Sequence, residues 1–217
     1  MEDREYEVMA SVEERHFWFV GTRGIVKDAF LAAGIRPEHR VLDLGCGTGG
    51  TMLALAGLAQ FTGLDVSPLA ADFASRKTGN RVVAGSATAL PFDDASFDAV
   101  LSLDVYEHVT DDAAALAETR RVLRPGGILI ATVPCHPSLY SEHDRALHHV
   151  RRYTREGFLA VLSRAGFAAE RATWTNSLLF PVAAAHRFLS RALPARKSGT
   201  AATPPHPWGP STACSRA

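Results

Sequence analysis

Apolar positions follow two rhythms along this chain. Short apolar runs ending in an acid or a glycine, such as Val41–Leu44 and Gln60–Asp65, predict strands. Longer stretches with apolar residues spaced by three and four predict helices over Glu7–Phe19, Thr22–Ala33, Thr51–Ala56 and Thr154–Phe167. Segment 81–104 reads as strand, loop, strand, and Pro125-Gly126-Gly127 as the stop of one helix and the start of another strand. Ala168–Thr175 is expected to form a sixth strand and Ser177–Leu193 a helix. Residues 194–217, rich in proline and without apolar alternation, are expected to be disordered.

The densest signal is Val41-Leu-Asp-Leu-Gly-Cys-Gly-Thr-Gly-Gly50. A buried strand runs into Gly45, Gly47 and Gly49, where backbone can turn sharply and approach a ligand, and a helix follows whose first N–H groups face that ligand. This is half of a Rossmann unit. Gly45, Gly47 and Gly50 also satisfy the dinucleotide pattern G-x-G-x-x-G, which alone separates no cofactor classes. Asp43 does: an acid two residues before the first glycine can face the ammonium of an amino-acid-bearing cofactor. Asp65, ending the next strand, can accept from both ribose hydroxyls.

Phe97-Asp98 before an apolar strand, Val105-Tyr-Glu-His-Val109 after it, and Arg121-Val-Leu-Arg-Pro-Gly-Gly-Ile-Leu-Ile-Ala-Thr-Val133, together with the glycine loop, cover roughly residues 40–134. In combination they resemble class I S-adenosylmethionine-dependent methyltransferases. The resemblance implies an α/β, Rossmann-like, doubly wound and mostly parallel sheet with helices on both faces. It implies S-adenosylmethionine as cofactor, held by Asp43, Gly45, Gly47, Gly49, Asp65, Val66, Ser86, Ala87 and Leu103. Where many relatives carry an acid to meet the adenine amino group this chain has Ser86, so adenine recognition is expected to rest on backbone near Ala87 and on packing by Leu64, Val66 and Leu90. Residues 1–39 are then a helical lid, with His16 and Trp18 as candidate substrate-binding residues, although the run Phe17-Trp-Phe19 reads equally well as packing. Residues 40–193 are the core, and relatives close their sheet with a final antiparallel strand for which 194–217 offers no pattern. A truncated or altered chain end, leaving that strand missing, is therefore an open reading.

The polar insertion 134–154 leaves the carboxyl end of a strand, beside the ligand crevice of a doubly wound fold, which places the acceptor there. Methyl transfer from a sulfonium depends mainly on positioning, and a hydroxyl acceptor also needs a base. His149, His143, His148 and His108 are candidates, with Asp144 to orient His149 or His143; for His108, placed after a strand, capping a helix or bonding to backbone is the alternative. Arg151 and Arg152 can clamp an anionic group and Tyr153 can hydrogen-bond the acceptor; salt bridging to Glu142, Asp144 or Glu156 and packing are the alternatives. His143, Asp144, His148 and His149 are metal-ligand types, but without His-x-x-x-His spacing no metal is expected. Glu142-His-Asp144 with His149-Val-Arg-Arg-Tyr-Thr154 and Glu14-Arg-His-Phe-Trp18 is similar to a bacterial subgroup linked with glycan modification, which implies a sugar or lipid-linked hydroxyl or carboxylate as acceptor.

Composition fits one soluble domain: 217 residues, 47% hydrophobic, formal net charge zero. That balance gives no footprint for nucleic acid. Every Asp and Glu precedes Arg171, after which only basic charges occur, so an anionic partner or a peripheral membrane contact by Ser177–Leu193 stays open, while no run is long enough to span a bilayer. Three cysteines without metal spacing and an acidic N-terminus lacking an apolar leader predict a reduced, cytoplasmic protein. The oligomeric state is not encoded in any pattern. Two other classes stay open: a cofactor-binding but inactive or regulatory protein, and a nicotinamide oxidoreductase, against which Asp43 and the Leu-Arg-Pro-Gly-Gly turn argue.

Overall fold

Residues 3–175 are described by the structure, a computed structural model. Its centre is β1 (Arg40–Leu44), flanked by β2 (Gln60–Asp65) and β4 (Phe97–Leu103), with β3 (Arg81–Ala84) and β5 (Leu123–Thr132) outside them. The order is β3-β2-β1-β4-β5 and every pairing is parallel. Parallel neighbours require crossovers, supplied by α3 (Gly50–Ala54), α4 (Pro68–Thr78) and α5 (Asp112–Val122). The chain reverses direction across the sheet between β1 and β4, so the crevice of this doubly wound fold opens at the carboxyl ends of those two strands.

The core explains the strand pattern. Val41, Leu42 and Leu44 are fully buried because helices cover both faces of β1. Val41 packs with Val26 and Phe30 of α2 (Phe17–Ala32) on one face, and Leu42 and Leu44 with Leu64, Val100 and Val122 on the other. Local caps agree with this arrangement: Ser67 accepts from Ala70 N–H at the start of α4, Asp111 from Ala114 N–H at the start of α5, and Thr154 from Gly157 N–H at the start of α7 (Arg155–Arg164).

Three expectations are corrected. The first helix, α1 (Asp3–Val12), stops well before Phe19, and the aromatic run opens α2 instead. The chain turns at residues 13–15 because the Glu13 carboxylate reaches inward: it accepts from Thr48 Oγ1 (2.5 Å), Lys77 Nζ (2.8 Å) and Arg23 (2.8 Å). Gly50 makes room for this, since a Cβ there would meet both Glu13 and Arg23. Second, Pro125-Gly-Gly127 lies within β5 as an irregularity. Leu123 pairs with Phe97, the register shifts, and pairing resumes at Ile128 opposite Ala99, with Gly126 at φ 76°. Third, residues 168–175 form no strand. The segment is tied by side chains instead, with Trp174 stacked on His136 (5.0 Å) and the Ala172 carbonyl accepting from Arg155. The expected helix Ser177–Leu193 and the tail 194–217 lie outside the described residues.

Glu13 is 4% exposed, and its removal strands the largely buried Arg23 and leaves Lys77 with only the exposed Glu14. Glu13→Ala is expected to cost about 3 kcal/mol in urea unfolding, the scale of breaking a buried ion pair from one side. Trypsin should then cleave after Arg15 faster than in the parent; unchanged unfolding and cleavage would show that α1 is held by other contacts.

Candidate active site

Glycine geometry at the end of β1 follows from what lies against it. Gly45 has φ 72°, and a Cβ there would collide with the Val105 side chain, so the loop after β1 and the segment after β4 abut directly. Gly49 (φ 84°) caps α3 in the left-handed region with the Ala74 backbone behind it. The amides of Gly45 and Cys46 both donate to the Leu64 carbonyl, which ties the loop to the end of β2.

Asp43 is 2% exposed, and its Oδ2 has no hydrogen-bond partner among the described residues. Burial, then the nearby charges of Asp65 and Glu13, push its carboxyl up to about 7. A buried acid near two other acids is one whose ionised form a cation would stabilise. Asp65 (6% exposed) is differently placed: Oδ2 accepts from Gly47 N–H and Oδ1 from Ser67 N–H, each at 2.9 Å. Those bonds use one lone pair per oxygen, leaving one on Oδ2 and one on Oδ1 that the Tyr6 hydroxyl meets at 3.5 Å. From above, α1 lies over this pair. The Tyr6 hydroxyl is 3.5 Å from Asp65 Oδ1, and Met9 packs at the face of Gly47 where a Cβ would stand.

The remaining residues expected at the cofactor line the same strand ends. Val66 is 75% exposed, an apolar surface directly after Asp65. Ser86 and Ala87 follow β3, with Ser86 Oγ accepting from Thr88 N–H, and Leu90 is buried beneath them. Leu103 ends β4 beside Asp104, whose backbone is strained at φ 55°; its N–H donates to Thr132 Oγ1 (3.1 Å), and that hydroxyl donates to its carboxylate (2.9 Å).

The insertion folds back across the carboxyl end of the sheet. It contains a 3-10 turn at Pro137–Leu139 and α6 (Glu142–Ala146), and it returns beside its own start, where Tyr153 N–H donates to the Pro134 carbonyl. Asp144, with no exposure, is its hub. Arg152 Nε donates to Oδ1 (2.6 Å), His149 Nδ1 lies 3.2 Å from the same oxygen, and Ser141 N–H and Oγ both reach Oδ2. Burial opposes ionisation there, but the Arg152 and Ser141 contacts outweigh it and hold the carboxyl below its usual range.

Of the two histidines that Asp144 was expected to orient, it meets His149, which burial keeps below the ordinary imidazole range. The arginines are engaged. Arg152 takes Asp144 and the Cys135 carbonyl, and Arg151 takes Asp112 (2.6 Å) and the Thr110 carbonyl. Tyr153 is 6% exposed and donates to Asp112 Oδ2 (2.7 Å). Arg151 and Tyr153 thus pin the insertion to the start of α5, while Arg152 ties the two ends of the insertion to each other. His148 is exposed at φ 58°. The His16 ring lies tilted against that of Phe17 (4.7 Å between centroids), and the side chains of Trp18 and His143 lie outside the described residues.

Sequence reasoning missed Glu107. It belongs to the 3-10 turn Tyr106–His108 directly after β4, is completely buried, and has no partner for either carboxylate oxygen among the described residues. Burial, with the Asp104 charge next, raises its carboxyl well above the ordinary range. His108 follows it, and its ring lies edge-on to that of His149 at 4.6 Å. The available signal was position alone, since the end of a central strand at the switch point faces the ligand crevice.

Comparison with known proteins adds the following. A family described as "Methyltransferase domain" matches residues 42–131. A demethylmenaquinone methyltransferase of Mycobacterium sp. (strain KMS) is 35% identical over 175 residues, which cover 69% of this chain and 74% of that protein. An O-methyltransferase of Penicillium expansum is 40% identical over 111 residues, 46% of this chain and 40% of that one. The solved structure of a SAM-dependent methyltransferase from Thermotoga maritima superposes with a TM-score of 0.58 at 28% identity, covering 76% of this chain and 82% of the other. The chain spans about two fifths of the length of several curated relatives it matches.

Proposed function

Because the chain belongs to the class I S-adenosylmethionine-dependent methyltransferases, we propose that it binds S-adenosylmethionine at the carboxyl ends of β1, β2 and β4. The methyl group would pass to an oxygen of a small-molecule acceptor held under the insertion 134–154. The observation that carries this reading is the buried Asp43 carboxylate with its unpartnered Oδ2, beside a glycine loop that admits no Cβ at Gly45.

The residues present fit that cofactor. Asp43 suits the ammonium of the methionine moiety, Gly45, Gly47 and Gly49 keep the backbone low enough for close approach, and Asp65 retains acceptor capacity for the ribose hydroxyls. Val66, Ser86, Ala87 and Leu103 provide the mixed apolar and polar walls of an adenine slot. When bound, the cofactor supplies a sulfonium whose methyl carbon is already electrophilic. The chain's own task is then to hold the acceptor oxygen in line and to take its proton.

That proton would leave toward the cluster of Glu107, His108 and His149, where Asp144 fixes the His149 ring through Nδ1. The cluster begins two residues after Val105, whose side chain lies against Gly45 of the glycine loop. Residues 3–39 act as the lid, with α1 over Gly47 and Asp65. Of acceptor chemistries, a hydroxyl on a sugar or lipid-linked glycan is favoured by the motif similarity of 142–154. Relatives named for O-methylation and for demethylmenaquinone support an oxygen-bearing or lipophilic small molecule more broadly. No helix among the described residues is long and apolar enough to cross a membrane.

Calorimetric titration with S-adenosylmethionine, S-adenosylhomocysteine and NAD tests the assignment, followed by transfer of a labelled methyl group to sugar, glycolipid and quinol acceptors. Micromolar binding of the first two ligands without NAD is expected, with label appearing in an ether-linked product. NAD binding alone would overturn the reading, and cofactor binding without transfer to any acceptor would leave a regulatory protein.

A further inference from the structure

Glu107, His108 and His149 come together although the second histidine lies far along the chain. The 3-10 turn after β4 carries Glu107 and His108, the insertion brings back His149, and Val150 N–H donates to the Glu107 carbonyl (2.8 Å), which fixes the two segments side by side. One ligand atom from each of the three side chains lies within 4.8 Å of the others. Glu107 is 0% exposed and both its carboxylate oxygens lack partners among the described residues, so an ionised Glu107 needs a positive charge beside it. Arg152, whose charge acts on Glu107, is hydrogen-bonded instead to Asp144 and to the Cys135 carbonyl. On the opposite side His108 is exposed, which leaves the group open to solvent.

We propose that Glu107, His108 and His149 form a binding site for a divalent transition-metal ion of the zinc type. Two imidazoles and one carboxylate with an open side are the donor set of catalytic zinc, in which a fourth position takes water or substrate. The surroundings complete the pattern. Asp144 accepts at His149 Nδ1 (3.2 Å), the carboxylate–histidine arrangement that turns the other ring nitrogen outward as a ligand and fixes its tautomer. Bonds of about 2.0–2.2 Å in a tetrahedral site set ligand atoms about 3.5 Å apart, so closing on an ion requires side-chain movements of roughly 1 Å. The exposed His108 ring has room for that movement.

Ion binding here stands apart from methyl transfer and rests on the preceding reading only for its place beside the acceptor. There it gives the cluster a sharper role. A hydroxyl at the open position would lose its proton more readily, and the His149 lone pair would serve as a ligand rather than as a free base.

Tag-free full-length protein, stripped with chelator, tests this by titration with Zn²⁺ in a calorimeter and with Co²⁺ by visible absorption. One ion per chain and the intense visible bands of a four-coordinate Co²⁺ are expected. His108→Ala and Glu107→Gln should each weaken binding by about 100-fold, the consequence of removing one of three protein ligands. His108 lies at the surface, so its variant keeps the test intact if Glu107→Gln fails to fold. S-adenosylmethionine is titrated in parallel: Co²⁺ uptake without cofactor binding would uphold the metal site while defeating the methyltransferase assignment. A chain that takes up no Co²⁺, or that binds it equally well in both variants, overturns the proposal.

Discussion

Asp43→Asn is expected to weaken S-adenosylmethionine binding by about 3 kcal/mol, roughly 100-fold, because it removes one member of a buried charge pair. The same change should stabilise the ligand-free protein. Burial, reinforced by Asp65 and Glu13, raises the Asp43 carboxyl from 3.8 to about 7, so folding favours its protonated form. The sign follows: stability from this group is full below pH 4, is lost as pH rises toward 7, and above 7 the ionised carboxylate costs at most ~4 kcal/mol, about 3 pKa units. Asparagine abolishes that slope. Urea unfolding of parent and variant between pH 4 and 8 should therefore diverge in the variant's favour as pH rises. Calorimetry on the parent should show affinity falling about tenfold per pH unit below 7, where Asp43 must shed a proton to receive the ammonium. Equal affinity in parent and variant would remove Asp43 from the cofactor site.

A second large effect is expected at Asp144. Asp144→Ala deletes a carboxylate of no exposure that holds Arg152, His149 and two groups of Ser141, and it leaves the Arg152 guanidinium, 11% exposed, without its partner. The expected loss is about 3–5 kcal/mol in urea unfolding. Most of it should be the cost of the stranded cation, so the double variant Asp144→Ala/Arg152→Met should recover more than half. The carboxyl is held below its usual range, so this stabilisation is present above pH 4 and fades as the group protonates in acid. A loss under about 1 kcal/mol for the single variant would show that the insertion is held elsewhere.

The sequence and the structure agree where local chemistry decides. β2 occupies Gln60–Asp65 as its apolar run and terminal acid imply, and Thr154 caps its helix as its hydroxyl and position predict. Gly45 and Asp43 were recognisable because a strand, an acid and closely spaced glycines form one continuous segment. Misreadings arise where distant residues decide. The break after Val12 depends on Glu13 meeting Thr48 and Lys77, contacts that no helical periodicity in 7–19 records. Ala168–Thr175 has apolar residues but no ladder partner, and ring stacking with His136 holds it instead. Glu107 stood in a recognised motif, but its want of a hydrogen-bond partner among the described residues becomes visible only once the insertion closes over it.

The contact of Gly45 with Val105 also bears on how such a site can diverge or be redesigned. Gly45, the first residue after β1, and Val105, two residues before the cluster proposed to meet the acceptor, share one van der Waals boundary. A side chain larger than hydrogen at position 45 demands a smaller one at position 105, and any shift of the turn bearing Glu107 and His108 is felt by the glycine loop. Remodelling for a new acceptor therefore has a fixed side and a free side. Residues 105–108 have to keep their seat, together with Val150 and Tyr153, which bond to that turn, while the rest of the insertion 134–154 is the side open to change.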